Sequence, residues 1–97
     1  MTATPTKIKN CYLIDNFCQT DQRGSFTKFY NDNEFHQLGI QFTPKESYFS
    51  KSKKNVIRGM HFQKIPHDHD KLVTCIQGKI IDVILDLRSD SETYGQF

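Results

Sequence analysis

Residues 71–87 read Lys71-Leu72-Val73-Thr74-Cys75-Ile76-Gln77-Gly78-Lys79-Ile80-Ile81-Asp82-Val83-Ile84-Leu85-Asp86-Leu87, and this stretch decides the fold. The runs on either side of Gln77-Gly78 are rich in β-branched and other apolar residues, which favour strands. A glycine turn between two such runs is typical of a β-hairpin. The sequence therefore predicts a hairpin of strands 71–76 and 79–87, with the second strand long enough to be buried on one face.

Shorter runs with strand character precede this hairpin, and turn-forming residues separate them. They lie at residues 11–14, 25–30, 46–52 and 56–62. Frequent strands with a turn signal every ~8–12 residues are typical of a barrel or a sandwich. The predicted fold class is all-β.

One short segment looks helical. Asn31 can cap a helix over residues 32–38, Phe35 and Leu38 would form its apolar face, and Gly39 would end it. We expect this helix to be the only one.

Composition limits the classes of function. The 97 residues are 36% hydrophobic and 25% charged, with a net charge of +2, which fits one soluble domain over residues 1–97 and gives no sign of a nucleic-acid binder. No apolar run approaches the ~20 residues of a membrane-spanning helix, and residues 1–10 are polar, without the pattern of a signal peptide. We expect a cytoplasmic protein with no membrane partner and a loosely ordered segment 1–10.

The ionisable groups that could perform chemistry concentrate between Arg58 and Lys71. If 56–62 is a strand, His61 points to the same side as Ile57, which would be the barrel interior. An imidazole there, with Lys71 opening a neighbouring strand, would suit acid–base catalysis. A core histidine bonded to the backbone is the simpler alternative.

Two other motifs have both a functional and a structural interpretation. His67 and His69 resemble part of a metal-ligand set, but no suitably placed Glu follows, and a solvated connection between strands fits them better. Arg23 lies in a turn and would bind phosphate only if the substrate is phosphorylated.

Several ordered motifs together resemble the dTDP-4-dehydrorhamnose 3,5-epimerase family, whose members are cupin-type β-barrels. The matching segments are Asp21-Gln22-Arg23-Gly24-Ser25-Phe26, Ser50-Lys51-Ser52, Val56-Ile57-Arg58-Gly59-Met60-His61-Phe62-Gln63, Lys71-Leu72-Val73, Gly78, Asp82-Val83, Asp86-Leu87-Arg88 and Ser91-Glu92-Thr93-Tyr94-Gly95. Their order and spacing make the match specific from residue 11 to residue 97. The resemblance implies a cupin-like barrel (double-stranded β-helix or jelly roll), incomplete within this chain, with residues 1–97 corresponding to the N-terminal half to two-thirds of such an enzyme.

The resemblance also implies a reaction and its participants. The substrate would be a 4-keto-6-deoxy sugar linked to a nucleoside diphosphate, and the enzyme would be a homodimer that uses no metal or other cofactor. His61 would remove a proton alpha to the ketone, and Lys71 would stabilise the enolate oxygen. The implied substrate-binding residues are Arg23, Phe26, Lys28, Glu46, Arg58 and Gln63. His67 and His69 would take no part.

The chain departs from the family pattern in charge and in length. Lys28 stands where the family usually has Glu, and Glu46 aligns with a usual Gln, which puts thymidine specificity in doubt. The family's general acid, a Tyr, and the Asp that pairs with its histidine lie beyond residue 97. We expect the chain to be a portion of a longer epimerase; completion of a barrel by a second copy is the other interpretation.

Three further functions fit parts of the pattern. A 3,4-ketoisomerase of the same fold also needs a histidine base beside a keto sugar. A non-catalytic cupin-like module would keep the barrel for sugar binding or assembly, and a metal-dependent cupin would use the histidines as ligands.

Overall fold

The computed structural model describes all residues from 1 to 97. Its elements, in chain order, are β1 (Thr2–Pro5), β2 (Tyr12–Asp15), β3 (Phe17–Asp21), β4 (Gly24–Lys28) and α1 (Asp32–Gln37). Strand β1 pairs with β2 and β3 pairs with β4, which gives two small antiparallel sheets. The chain is all-β apart from one short helix, and no barrel closes within it, as the sequence predicts.

The β3–β4 hairpin has its tip at Gln22 and Arg23. Asp21 pairs with Gly24 at the tip and Phe17 pairs with Lys28 at the open end. Gly24 has a φ of +128°, which an L side chain rarely adopts, so glycine is needed where the chain leaves the turn. The predicted turn and the predicted strand from residue 25 are confirmed, whereas β3 was not expected from the sequence.

Strand β1 corrects the expectation that residues 1–10 are loosely ordered. Thr2 pairs with Asp15 and Pro5 pairs with Tyr12, so the N-terminal segment forms a ladder with β2. Ladder hydrogen bonds come from the backbone, and a polar sequence can therefore make them. The loop between the strands contains Ile8, one of the few buried residues of the chain, and the Cys11 amide donates to the Ile8 carbonyl at 3.0 Å.

Helix α1 has the caps that its sequence predicts. The Asn31 side chain accepts a hydrogen bond from the Glu34 amide at 3.0 Å, which satisfies a free donor of the first turn. At the other end, Gly39 has a φ of +74°, and its amide donates to the His36 carbonyl while the Ile40 amide donates to the Phe35 carbonyl. These two bonds form a Schellman motif, so short-range sequence alone fixes both helix ends.

The helix supplies the centre of a small aromatic cluster. Phe35 is only 2% exposed, and its ring centroid lies 4.9 Å from that of Tyr30 and 6.0 Å from that of Phe42. The Tyr30 hydroxyl donates to the Phe42 carbonyl at 3.0 Å, which ties the segment after the helix to the end of β4. This cluster is the hydrophobic core of the N-terminal part.

The prediction of a β-hairpin over residues 71–87 is wrong for this chain, because the two runs do not pair. The chain bends at Gln77-Gly78, where Gly78 has a φ of +86°, but the runs on either side form no strand. The predicted strands 46–52 and 56–62 are likewise absent. A two-stranded ribbon is marginal in water unless a further strand or a packed layer covers its apolar face.

The chain consequently exposes much apolar surface. Its solvent-accessible area is 9397 Å², whereas a folded monomer of this mass has about 5,800 Å². Ile57 and Ile81 are among the most exposed side chains. No helix has the length and apolar character that crossing a membrane requires.

Candidate active site

Arg23 lies at the tip of the β3–β4 hairpin and is held there by Asp21. The guanidinium Nη2 lies 2.6 Å from Asp21 Oδ2 and Nε lies 3.1 Å from the same oxygen, while the Arg23 amide donates to Asp21 Oδ1 at 2.8 Å. These hydrogen bonds hold the pKa of the Asp21 carboxyl below its usual value and raise the pKa of Arg23. The Arg23 side chain is 90% exposed, so the rest of its guanidinium is open to an anion.

Lys28, at the end of β4, is paired with the helix. Its Nζ lies 2.8 Å from Glu34 Oε1 and 5.7 Å from the centre of the Phe17 ring. The α-ammonium group of Met1 lies 3.3 Å from the other Glu34 oxygen. The hydrogen bond from Lys28 is the main reason that the pKa of Glu34 is lowered, although partial burial opposes it. Both cations are therefore held by a carboxylate, but Lys28 is half-buried whereas Arg23 is almost fully exposed.

Arg58 is held by neutral groups. Its Nε donates to the Ser52 hydroxyl at 2.9 Å and its Nη2 donates to the Lys51 carbonyl at 3.4 Å. No carboxylate lies within 4.0 Å of its guanidinium. Arg58 therefore keeps an uncompensated positive charge at the surface of the molecule.

The proposed base and its partner lie on exposed segments. Both His61 and Lys71 are exposed, and neither side chain makes a hydrogen bond or an ion pair. Because 56–62 forms no strand, the alternation that would turn His61 to an interior with Ile57 is not realised, and Ile57 is 94% exposed. No hydrogen bond joins the two residues in this structure.

The remaining predicted binding residues are exposed as well. Phe26 is 61% exposed on β4, opposite Gln19 of β3. Glu46 and Gln63 lie in segments without regular structure. None of these residues is joined to His61 by a hydrogen bond. The residues of the predicted site therefore lie in separate groups: Arg23 at the hairpin tip, Arg58 with its neutral partners, and the exposed imidazole of His61.

The histidines with ligand-like spacing do not form a metal centre in this structure. His69 Nδ1 lies 3.2 Å from the carbonyl oxygen of His67, and both side chains are exposed. No group of three or more His, Cys, Asp or Glu side chains is close enough together to hold a metal ion.

The most developed polar cluster surrounds Asp86, a residue to which sequence reasoning gave no role. Asp86 is 3% exposed, and its carboxylate accepts hydrogen bonds from the amide and guanidinium of Arg88 and from the hydroxyls of Ser91 and Thr93. These donors hold the pKa of Asp86 far below its usual range, with Arg88 contributing most. The only sequence signal was the pair of motifs that contain these residues.

Asp86 and Arg88 also close a loop and connect it to the start of the chain. The Asp86 amide donates to the Gln96 carbonyl at 3.0 Å, and the Gly95 amide donates to the Asp86 carbonyl at 2.8 Å. Arg88 Nη2 reaches the carbonyl oxygen of Lys9 at 2.9 Å. The carboxylate of Asp86 thus organises the 86–96 loop and fixes it beside the β1–β2 connection.

Two cavities border this junction. A cavity of about 180 Å³ is lined by Thr6, Lys7, Ile8, Cys11, Asp82, Ile84 and Phe97. A larger polar groove of about 580 Å³ is lined by Thr6, Lys7, Lys9, Asn10, Arg88, Asp90, Ser91, Glu92 and Thr93. Neither is lined by a predicted catalytic or substrate-binding residue.

Fold and side chains together define a class: an all-β protein, apart from one short helix, that presents arginines and an imidazole at its surface. The family model for dTDP-4-dehydrorhamnose 3,5-epimerase matches residues 5–97, and the chain belongs to that family. The resemblance predicted from the motifs is confirmed.

Individual relatives agree with the family match. The chain is 39% identical over its whole length to the dTDP-4-dehydrorhamnose 3,5-epimerase of Salmonella typhimurium, of which it covers 54%. It is 37% identical over its whole length to the enzyme of that name from Mycolicibacterium smegmatis, of which it covers 49%. A dTDP-4-dehydrorhamnose 3-epimerase from Streptomyces niveus is 34% identical over 98% of the chain, which covers 46% of that protein.

The chain spans about half the length of the curated relatives it matches. No solved structure matches it.

Proposed function

We propose that these residues belong to an epimerase that acts on a 4-keto-6-deoxyhexose linked to a nucleoside diphosphate. One observation carries the proposal: the match to the epimerase family extends over residues 5–97 and includes both His61 and Lys71. The matched relatives are named for a dTDP-linked 4-dehydro sugar, which supports this class of substrate.

The proposed reaction is the removal and return of a proton next to the ketone. His61 accepts the proton from the carbon alpha to the 4-keto group, and the electron pair of the broken C–H bond moves into an enolate. Lys71 stabilises the enolate oxygen, where negative charge develops. Return of a proton to the opposite face of the carbon inverts its configuration.

The arginines are proposed to hold the anionic substrate. Arg23 binds the diphosphate from the hairpin tip, where its side chain is exposed. Arg58 binds near the reacting centre, since its charge is not neutralised by a neighbouring carboxylate. Phe26, Glu46 and Gln63 complete the proposed binding surface.

Lys28 gives this protein a different charge from its family at a position of nucleotide recognition. It is paired with Glu34, which also contacts the α-ammonium group of Met1, so this cluster keeps a net positive charge. We propose that this protein recognises the nucleotide differently from family members that have a carboxylate at this position.

The assembly is proposed to be a cytoplasmic homodimer that uses no metal. Large apolar side chains on the surface, among them Phe49 and Ile81, need a covering layer. A second copy of the protein would provide one.

Exchange of solvent deuterium into the sugar tests the proposed base. In the full-length protein, His61→Asn keeps a hydrogen-bonding side chain but cannot accept the proton at neutral pH, so exchange should fall ~10²–10⁴-fold while binding of the nucleotide sugar persists. Lys71→Met should also slow exchange strongly, and His67→Asn serves as the matched control. Wild-type exchange in His61→Asn would show that the base is wrongly assigned.

The position of the deuterium separates the related activities. Label at C3 and C5 indicates a 3,5-epimerase, and label at C3 alone indicates a 3-epimerase like the relative from Streptomyces niveus. Conversion to a 3-keto sugar indicates a ketoisomerase. Binding without any exchange in the full-length protein indicates a non-catalytic module.

A further inference from the structure

Three arginines of this chain are anchored through the same edge of the guanidinium, the one formed by Nε and Nη2. Arg23 and Arg88 direct this edge at the carboxylates of Asp21 and Asp86. Arg58 directs it at the Ser52 hydroxyl, 2.9 Å from Nε, and at the Lys51 carbonyl, 3.4 Å from Nη2. Only Arg58 has two neutral anchors.

The kind of anchor decides how much positive charge a guanidinium still offers to a ligand. A carboxylate anchor orients a guanidinium but offsets part of its attraction for a second anion, whereas a hydroxyl and a carbonyl orient it without offsetting that attraction. Arg58 uses two of the five guanidinium N–H groups in these bonds, so the Nη1–Nη2 edge stays available. That edge can donate two parallel hydrogen bonds to a negatively charged oxygen group.

We propose that Ser52 is a positioning residue: its hydroxyl fixes Arg58 so that the free guanidinium edge meets the substrate near the reacting centre. The proposal rests on the proposed function, because it assumes that Arg58 contacts the substrate. The hydroxyl of Ser52 makes one hydrogen bond, to Arg58, and acts through it. Loss of the Ser52 hydroxyl leaves the positive charge of Arg58 in place, but the orientation of the guanidinium is no longer fixed.

Kinetics of the full-length protein test this role through a double-mutant cycle. Ser52→Ala should lower kcat/KM for deuterium exchange on the order of 10-fold, because misplacing a positioned group weakens transition-state contacts. Ser52→Thr keeps a hydroxyl and should restore most of the rate, and Ser47→Ala, in an exposed serine without a hydrogen bond, is the matched control. In an Arg58→Lys background, Ser52→Ala should cause no further loss, since lysine has no Nε edge to be held.

Two results would overturn the proposal: unchanged kinetics in Ser52→Ala, or an equal loss in the Arg58→Lys background, which would show that Ser52 acts on something else. Nitrogen-15 NMR of the substrate-free protein gives a second readout, which does not depend on enzymatic activity. The Arg58 Nε–H proton, assigned by its disappearance in Arg58→Lys, should exchange with solvent faster in Ser52→Ala and at the wild-type rate in Ser52→Thr. Equal exchange in all three would overturn the contact.

If wild-type protein never exchanges deuterium, the proposed function fails and the positioning role is decided by binding. The probe is then thymidine diphosphate glucose, which has no ketone. A loss of affinity of about tenfold in Ser52→Ala, restored in Ser52→Thr, supports the role of Ser52. Equal affinity of the three proteins overturns it.

Discussion

The Asp86 carboxylate and the Arg88 guanidinium meet in two parallel hydrogen bonds, each of 2.8 Å, and the carboxylate is almost completely buried. Such bidentate pairs combine charge with fixed geometry. Since Arg88 also holds the Lys9 carbonyl, this pair connects the last segment of the chain to the first loop. It is the principal polar junction between parts of the chain that are distant in sequence.

The first prediction concerns the pH dependence of stability. The pKa of Asp86 is lower in the folded protein than in the unfolded chain, so the unfolded chain binds more protons in acid. The stabilisation is complete above the unfolded pKa of about 4 and is lost as the pH falls toward the folded pKa. Asp86→Asn should therefore lower Tm by several degrees at pH 7 and reduce the fall in Tm between about pH 5 and pH 3.

Thermal unfolding followed by circular dichroism at a series of pH values checks this prediction. Asp68→Asn is the matched control, because Asp68 is exposed and accepts no hydrogen bond. Parallel pH curves for wild type and Asp86→Asn would show that the buried carboxylate does not contribute to acid sensitivity.

The second prediction concerns the aromatic cluster. Phe35 is 2% exposed and packs edge-on against Tyr30. Phe35→Ala should lower the free energy of unfolding by about 3 kcal/mol, because it removes a buried ring and leaves a cavity. Phe49→Ala, at a position that is 84% exposed, should change it little. Urea unfolding curves with similar effects for the two variants would contradict the assignment of the core.

The features of this structure that the sequence could predict are the local ones. The cap at Asn31, the end of the helix at Gly39 and the turn at residues 21–24 all depend on residues within a few positions of one another. Local chemistry decides such features, and the predictions for them are confirmed. The burial of Phe35 followed from its place on the helix.

The remaining predictions depended on contacts that local sequence does not specify. The apolar runs at 71–76 and 79–87 have strand propensity, but strand pairing requires a covered face, and here residues such as Ile81 stay exposed. The Asp86 cluster was missed for a different reason. Its donors Ser91 and Thr93 lie in an irregular loop, where no periodicity signals that side chains converge.

The third prediction concerns the pair of Lys28 with Glu34. Lys28→Glu, which introduces the residue usual in the family, should place two carboxylates together, raise the pKa of Glu34 and lower Tm by a few degrees at neutral pH. The charge-reversed double variant, Lys28→Glu with Glu34→Lys, should recover most of the loss. Additive destabilisation in thermal unfolding would be evidence that the two side chains do not interact.

The last prediction concerns self-association. The accessible surface of 9397 Å² exceeds the ~5,800 Å² of a folded monomer of this mass, and the radius of gyration of 15.4 Å exceeds the ~12.5 Å of a compact domain of this length. Apolar side chains in the 71–87 segment contribute to this excess. Since exposed apolar patches of this extent mark association surfaces, sedimentation velocity at micromolar concentration should detect a dimer.

A charge placed within the apolar surface should weaken that dimer. Ile81 is 93% exposed in the isolated chain, and a carboxylate buried there on association would lack a partner. Ile81→Glu should therefore raise the dimer dissociation constant by about tenfold or more. Lys79→Glu is the control: it lies two residues away at an exposed position and changes the net charge by more, but it should raise the dissociation constant less. A well-folded monomer at micromolar concentration, or equal dissociation constants for the two variants, would rule out this surface as the contact between copies.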